Sequence, residues 1–505
     1  MNIRTRSRIL LSLSISLLVL MAWLLLLRGS SPAVAAGPNT LFVTPNGSGS
    51  ACTQSHPCAL HTALAQARDG DTIYLAGGTY TGQGAAVITL TKSITLYGGW
   101  DGAPAGPVVR DPQAFRTVLD GEDQRRVVYI NGDIAPVLDG LTVVNGNAVG
   151  LGGYGTSDAG GGIYVNRSEV TIRNCLLTNN MAGNRKGTGG GLFLIYSNAR
   201  VEHSTIMSNT ARWGGGARAI SRAPVFRLNR FISNTADFGG GIYLMWTNEQ
   251  ALIEENVFTD NRGAEGGAIY LSAAGATIRR NVIYNNRGGT GGGIGVVSGD
   301  TPVKLEDNRI WRNSAGRGGG VYISFRPFQE RTRLENNIIA QNQATKNGAG
   351  VYIHQSKPVF VHNTLAQNRG GDGSGIFVAT GAEATLINTI LVSHTVGISV
   401  TTGSAATLDS TLWGAGIWAN GADWGGDGTV TTQHDVHGDP AFVNPAAGDY
   451  HIERHSAARD AGVDAGILTD IDGESRPFGP APDIGADEWR PKHSVYLPYM
   501  LSGNR

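Results

Sequence analysis

A glycine-rich triplet followed by an aliphatic and then an aromatic residue recurs at 160–164, 189–193, 239–243, 266–270 and 318–322. The third position of the triplet falls at 162, 191, 216, 241, 268, 293, 320, 350 and 375, with weaker echoes at 397 and 416. Glycine triplets break helices, and a fixed repeat of about 25 to 30 residues is the mark of a solenoid. The 73 glycines of this 505-residue chain are thus periodic punctuation and not low complexity.

Asparagines travel in phase with the triplets. They pair five residues apart at Asn174 and Asn179, Asn229 and Asn234, Asn256 and Asn261, and Asn281 and Asn286, and then at Asn308 and Asn313, Asn337 and Asn342, and Asn363 and Asn368. Asn accepts left-handed backbone angles, and its amide can donate to and accept from an identical side chain one coil away. Two side-chain ladders are expected. Between these marks the pairs Ile163 and Val165, Ile242 and Leu244, Ile269 and Leu271, Val321 and Ile323, and Val351 and Ile353 alternate as inward strand positions. The predicted fold is all-β: a right-handed parallel β-helix of roughly a dozen coils about 4.8 Å apart.

Residues 1–36 open with Arg4, Arg6 and Arg8, run apolar from 9 to 27, and offer Ala33-Val34-Ala35 as a cleavage site. That pattern predicts a signal peptide or, uncleaved, a signal anchor, and an extracytoplasmic body, secreted or at the cell surface. Contact with membrane is expected only through this segment. Residues 37–98 read as an N-terminal cap and first coils, with Leu60, Ala63, Leu64 and Ala67 forming an amphipathic helix that covers the open end. Residues 99–420 carry the repeats, with an early loop excursion between 98 and 135, marked by Pro104, Pro107 and Pro112, that leaves the stack before Val127 to Ile130 rejoins it. Residues 421–490 are an Asp/Gly/Pro-rich C-terminal cap, and 491–505 a tail.

Lys plus Arg equals Asp plus Glu at 40 each, which argues against a nucleic-acid partner, and a monomer is expected. Cys52 and Cys58 are spaced to close a small disulfide ring in an oxidising compartment; two free thiols are the alternative. Cys175 reads as core. No Cys or His spacing suits a metal.

The coils resemble the polymorphic outer membrane protein repeat, with its Gly-Gly-small-Ile stretch at 266–269 and its Phe-x-x-Asn tetrapeptides at 231–234 and 258–261. Segment 439–488 resembles the choice-of-anchor Q domain found at the end of bacterial surface β-helix proteins, with Ser456-Ala457 where that domain usually shows Ser-Pro. The resemblance implies a surface or secreted β-helix protein, often adhesive, with no fixed chemistry.

The residue after each inward aliphatic should point outward. It is Tyr164, Phe193, Tyr243, Tyr270, Tyr322, Tyr352, Phe377 and Trp418, interrupted by Arg218, Gly295 and Ser399. Stacked, these rings form either an apolar strip suited to sugar faces, or a ladder that stiffens one face under the Trp213 and Trp246 loops. The first reading makes the protein a non-catalytic adhesion or carbohydrate-binding scaffold whose partner is a polysaccharide or surface glycan. The other function is a polysaccharide lyase or glycoside hydrolase of the pectate-lyase-like class, with Arg218, Asp237 and Glu265 as the catalytic candidates and Arg212 and Arg262 beside them. Asp464, Asp470, Asp472, Asp483, Asp487 and Glu488 suit Ca²⁺ by type, but Asx turns closing a compact cap explain them better, so no cofactor is expected. His203, His354, His362 and His394 read as solvated or turn-bonded.

Overall fold

A coil contains three short strands and two tight corners, and in the middle of the stack also one longer arm, which is absent between Ile390–Val392 and Val396–Val400. In the coil from residue 242 the chain runs through Ile242–Met245, Ala251–Glu254 and Val257–Thr259. It then enters the arm at Arg262–Glu265 and turns back through Gly266 and Gly267. The computed structural model describes residues 38–183, 185–247, 251–298, 301–325 and 332–491. The predicted signal segment, and the tail beyond Pro491, lie outside the described residues.

Equivalent strands stack into three parallel sheets. Sheet 1, entered from the glycine turn, has 13 strands, sheet 2 has 15 and sheet 3 has 14. The pairing holds register from coil to coil, so like falls on like: Ile242 on Ile269, Tyr243 on Tyr270, Leu244 on Leu271. Every inward aliphatic expected above is fully buried, and Ile253 and Phe258 join them from sheets 2 and 3. Burial of this kind contributes about 25 cal/mol per Å² of apolar surface removed from water. One continuous core fills the stack, and Cys175 belongs to it.

The two corners carry the asparagine ladders, one residue out of the expected phase in the first repeat. The ladders run Asn229, Asn256, Asn281, Asn308, Asn337, Asn363 and Asn180, Asn209, Asn234, Asn261, Asn286, Asn313, Asn342, Asn368. Asn174 and Asn179 instead hold the left-handed angle, φ 53° in each, and Cys175 and Asn180 take the ladder places. Left-handed tolerance is therefore not why Asn fills the columns. The residue before each ladder Asn adopts positive φ, as at Ser233, Asp260 and Asn285. Asn is selected because its amide serves four partners at once.

Helix α1, Leu60–Gln66, buries Leu60 and Ala63 against the first coil. The chain rejoins sheet 1 at Arg126–Asn131, as expected, but the excursion is shorter, because Thr117–Asp120 already pairs within sheet 3. Nor does the stack stop at Asn420: Ala422–Gly425, Thr429–Gln433 and Val436–Gly438 add another coil. In register with the inward Leu408 and Trp413 it carries Thr432 and His437, polar and exposed at the end of the stack, which erased the periodic signal.

The Asp/Gly/Pro-rich segment from 439 covers the flank of the stack, over sheet 3. Ile338, Ala340, Ala366, Ile390, Val392 and Leu412 form one apolar cluster there with Phe442, Tyr450, Ile452 and Ile484. Trp418, expected in the outward column, lies instead in a 3-10 turn, Gly416–Trp418, with its ring edge-on to Phe442 at 5.0 Å. The column continues through Phe377, Ser399 and Gly425.

Candidate functional site

The arms form a fourth layer beside sheet 1. Thr235–Phe238 pairs with Arg262–Glu265, and Ser314–Arg317 with Gln343–Asn347. After each arm the glycine turn reverses the chain sharply. At Gly239, φ is 63° and an added Cβ would stand 2.3 Å from the Ile242 carbonyl oxygen, so no other residue fits. This reversal folds the last arm residue onto the aromatic column, as Phe238 does on Tyr243 and Tyr270 with ring centroids 6.3 and 5.7 Å away.

The column points out of the coil core, as expected, but the arms bury most of it. Tyr164, Phe193, Tyr243, Tyr270 and Tyr352 are at most 7% exposed; Tyr322 and Phe377 are partly exposed. Where the column does reach solvent, its rings lie face to face. Tyr322, Tyr352 and Phe377 stack at 5.5 and 5.4 Å with interplanar angles of 5° and 10°, and so present edges outward. An open strip of ring faces for sugars is thus not formed, because the faces contact one another and the arms contact the edges. Gly295 interrupts the column for a packing reason, since the Tyr270 ring occupies the place of its Cβ, 2.8 Å away.

Arg218 occupies a column position and is 5% exposed. Its guanidinium lies 4.9 Å from the Tyr243 ring centroid, 5.4 Å from Trp213 and 5.6 Å from Tyr154. One nitrogen donates to Thr188 Oγ1 at 2.7 Å and another contacts Met245 Sδ, while Nε has no hydrogen-bond partner. Burial lowers its pKa, with Tyr243 and Tyr154 opposing, and cation–π contact compensates for the absence of a carboxylate. Glu265 hydrogen-bonds Tyr270, whose pKa is raised by burial and further by that bond. Burial likewise raises Tyr243, with Arg218 opposing. Asp237 stands apart, exposed and paired with Arg212 at 3.5 Å. The fold therefore brings Arg218 and Glu265 to one pair of tyrosines and leaves Asp237 outside.

Cys52 and Cys58 are joined as a disulfide. The acids of the C-terminal segment accept backbone amides. Asp470 takes those of Asp472, Glu474 and Glu488, and Asp483 those of Asp460 and Trp489. Glu488 takes Phe478 and Asp483, Asp464 takes Gly466, and Asp487 takes Ile452. Only the Asp470–Asp472 and Asp464–Gly466 bonds close Asx turns; most of the others tie separate stretches of the segment together. Among the described residues, His451, Asp472 and Asp487 bring metal-ligand atoms within 4.8 Å of one another. In this structure His451 bridges Asp449 and Asp472, with Nε2 2.5 Å from Asp472.

The histidines divide. His203 is exposed at a corner and His354 contacts Ser324 at 3.3 Å. His362 and His394 are buried and hydrogen-bonded at the corners, so of the two expectations the solvated one fails for them. Burial lowers His362 to about 2, with Arg476 alongside, and His394 to about 3. His394 continues the second ladder, 3.2 Å from Asn368 Nδ2. A feature missed in the sequence is the Asn-Arg dipeptide at Asn261-Arg262, Asn286-Arg287 and Asn368-Arg369. It places a cation at the root of an arm, and a search for periodic charge would have found it.

Three stacked parallel sheets, in-register coils and internal amide ladders define a parallel β-helix. The chain belongs to the right handed beta helix region family, whose profile matches residues 128–323, 251–371 and 303–412, together more than half of its length. Among solved structures it is similar to the crystal structure of pectate lyase Pel9A. The identity is 16%, with 90% of this chain and 97% of that chain covered and a TM-score of 0.38. No curated protein sequence matches it.

Proposed function

We propose that this is an exported or cell-surface β-helix that binds a polysaccharide or surface glycan without cleaving it. The observation that carries this reading is the engagement of all three catalytic candidates. Arg218 is enclosed by aromatic rings, Glu265 is bonded to Tyr270, and Asp237 pairs with Arg212 in solvent. A general acid or base needs hydrogen-bond reach to a substrate atom. The disulfide supports export, since such bonds persist in oxidising compartments.

The second reading, a polysaccharide lyase or glycoside hydrolase, is favoured by the convergence of Arg218 and Glu265 on Tyr243. Native electrophoresis of residues 37–505 through gels cast with different polysaccharides separates the two. Retardation of the band with intact polymer is the expected outcome. Clearing of the polymer, abolished in Arg218→Ala and Glu265→Gln proteins that still melt cooperatively, would establish the enzyme instead.

A further inference from the structure

Two faces of the stack treat charge in opposite ways. On the outer face of sheet 2 one column reads Asp139, Arg173, Glu202, Arg227, Glu254, Arg279, Glu306 through six successive pairings. The sign alternates through these six steps before Glu306 meets Glu335, and ion pairs form along it, such as Arg173–Asp139 at 2.6 Å and Arg279–Glu254 at 2.7 Å. That arrangement is what cross-strand electrostatics favours.

The arms do the reverse. Five consecutive arms carry Arg262, Arg287, Arg317, Lys346 and Arg369, and all five residues are exposed. Arg262 and Arg287 are directly bridged neighbours, and Arg287 and Arg369 lie in the same row, separated by Ser314 and Gln343. None of the five has a carboxylate partner among the described residues. The two acids of these arms are turned to internal partners. Glu265 bonds Tyr270, and Asp372 accepts from Ser374 Oγ at 2.8 Å and from the Gly348 amide at 3.2 Å. Like charges stacked in register cost stability, so the Arg262–Arg287 neighbours are not explained by folding; Arg317, in the row at the other end of the arms, lies over the Tyr352 ring at 5.7 Å. The chain as a whole has no net charge, and the excess is therefore local.

We infer that these arms bind a linear polysaccharide bearing carboxylate or sulfate groups, laid along the axis of the stack. The inference rests on the glycan-binding reading above and names the charge class of the ligand. Every one of these five arms carries a cation, three of them in one row and two displaced along their arms, and with coils about 4.8 Å apart this band suits a single extended chain with acidic groups along it. A single-stranded nucleic acid needs exposed ring faces on which bases stack, and here the neighbouring aromatic column is buried or stacked on itself. The arginines supply planar forks for carboxylate and sulfate oxygens.

The test is affinity electrophoresis of residues 37–505 in gels holding polygalacturonate, dextran sulfate or unmodified dextran, with duplex DNA titrated separately. The expected result is retardation by one or both acidic polymers but not by dextran, weakened about tenfold in Arg262→Glu/Arg287→Glu and falling with added salt. Arg454→Glu, a single charge reversal in the C-terminal segment and half the change in the double variant, should bind as the parent does. The double variant should melt close to the parent, since one like-charge pair replaces another at the same bridge. If acidic and neutral glycans bind alike, or if the double variant binds as tightly as the parent, the ridge is not the site and the glycan-binding reading alone survives. DNA binding as tight as the acidic glycans overturns the assignment to polysaccharide. Binding to no polymer overturns both readings.

Discussion

Asn261 shows how one side chain joins three coils. Its Oδ1 accepts the backbone amide and the side-chain amide of Asn234, both at 3.0 Å. Its Nδ2 donates to Asn286 Oδ1 at 2.9 Å and to the Phe231 carbonyl at 2.8 Å. Asn261→Ala leaves the Asn234 amide and the Phe231 carbonyl unsatisfied in the interior, a loss of about 2–4 kcal/mol. Asn261→Asp keeps the acceptor but loses both donors and buries a charge, and should be worse. Urea unfolding followed by far-ultraviolet circular dichroism measures this; midpoints unchanged in both variants would remove the ladder from the list of stabilising features. The sequence showed the ladder's spacing but not its phase in the first repeat, because Asn174 and Asn179 are also asparagines, one place early.

At the level of elements, the N-terminal cap depends on a short covalent ring. Cys52 and Cys58 are both buried and join the core formed by Val43, Leu60 and Ala63. Closing a loop of this length removes about 2 kcal/mol of unfolded-state entropy in the chain-entropy description. Cys52→Ser/Cys58→Ser should lower the first melting transition and leave later coils folded, since a solenoid's stability is a sum over neighbours. Calorimetry of the oxidised, reduced and double-serine proteins reads this directly, and identical thermograms would mean that the helix and first strands hold the end unaided. The helix and the cysteine pair were legible because both signals are local. The burial of the aromatic column was not, because it depends on where the arms fall once the glycine turns have closed.

For the whole molecule, the attachment of residues 439–491 to the flank is expected to respond to pH. Burial would lower His451, but hydrogen bonds to Asp449 and Asp472 carry it up to about 10. Burial would raise Asp449 and Asp472, and bonding to His451 leaves both below the ordinary range. Burial pushes Asp487 up to about 7. A raised histidine contributes stability that is full below its unfolded value near 6.5 and is lost as pH climbs through about 10. Asp487 acts in the same sense, since its neutral form is favoured in the fold and ionisation through about 7 removes that gain. The two depressed carboxylates contribute above their unfolded values and lose that contribution in acid. Attachment should thus be firmer near pH 6 than near pH 9.5. Limited proteolysis within the segment is expected to be faster at the higher pH, and His451→Gln should flatten the difference. Equal cleavage at both values in the parent protein would contradict this account.

The sequence by itself determined the coil. Glycine turns, inward aliphatics and corner asparagines are local requirements of φ, burial and amide pairing, and each must be met again in every repeat. Tertiary structure decided what each outer face does. An outward residue on one coil is exposed, covered or paired according to which arm or returning segment reaches it, and that contact partner is distant in the chain. Sheet 3 illustrates this: its outward positions change from Arg230 and Ile232 to Ile338 and Ala340, a shift that makes sense only once Phe442 and Tyr450 have folded back over the later coils. The same distance separates the charged arms, alike in a row, from the balanced composition of the chain that carries them.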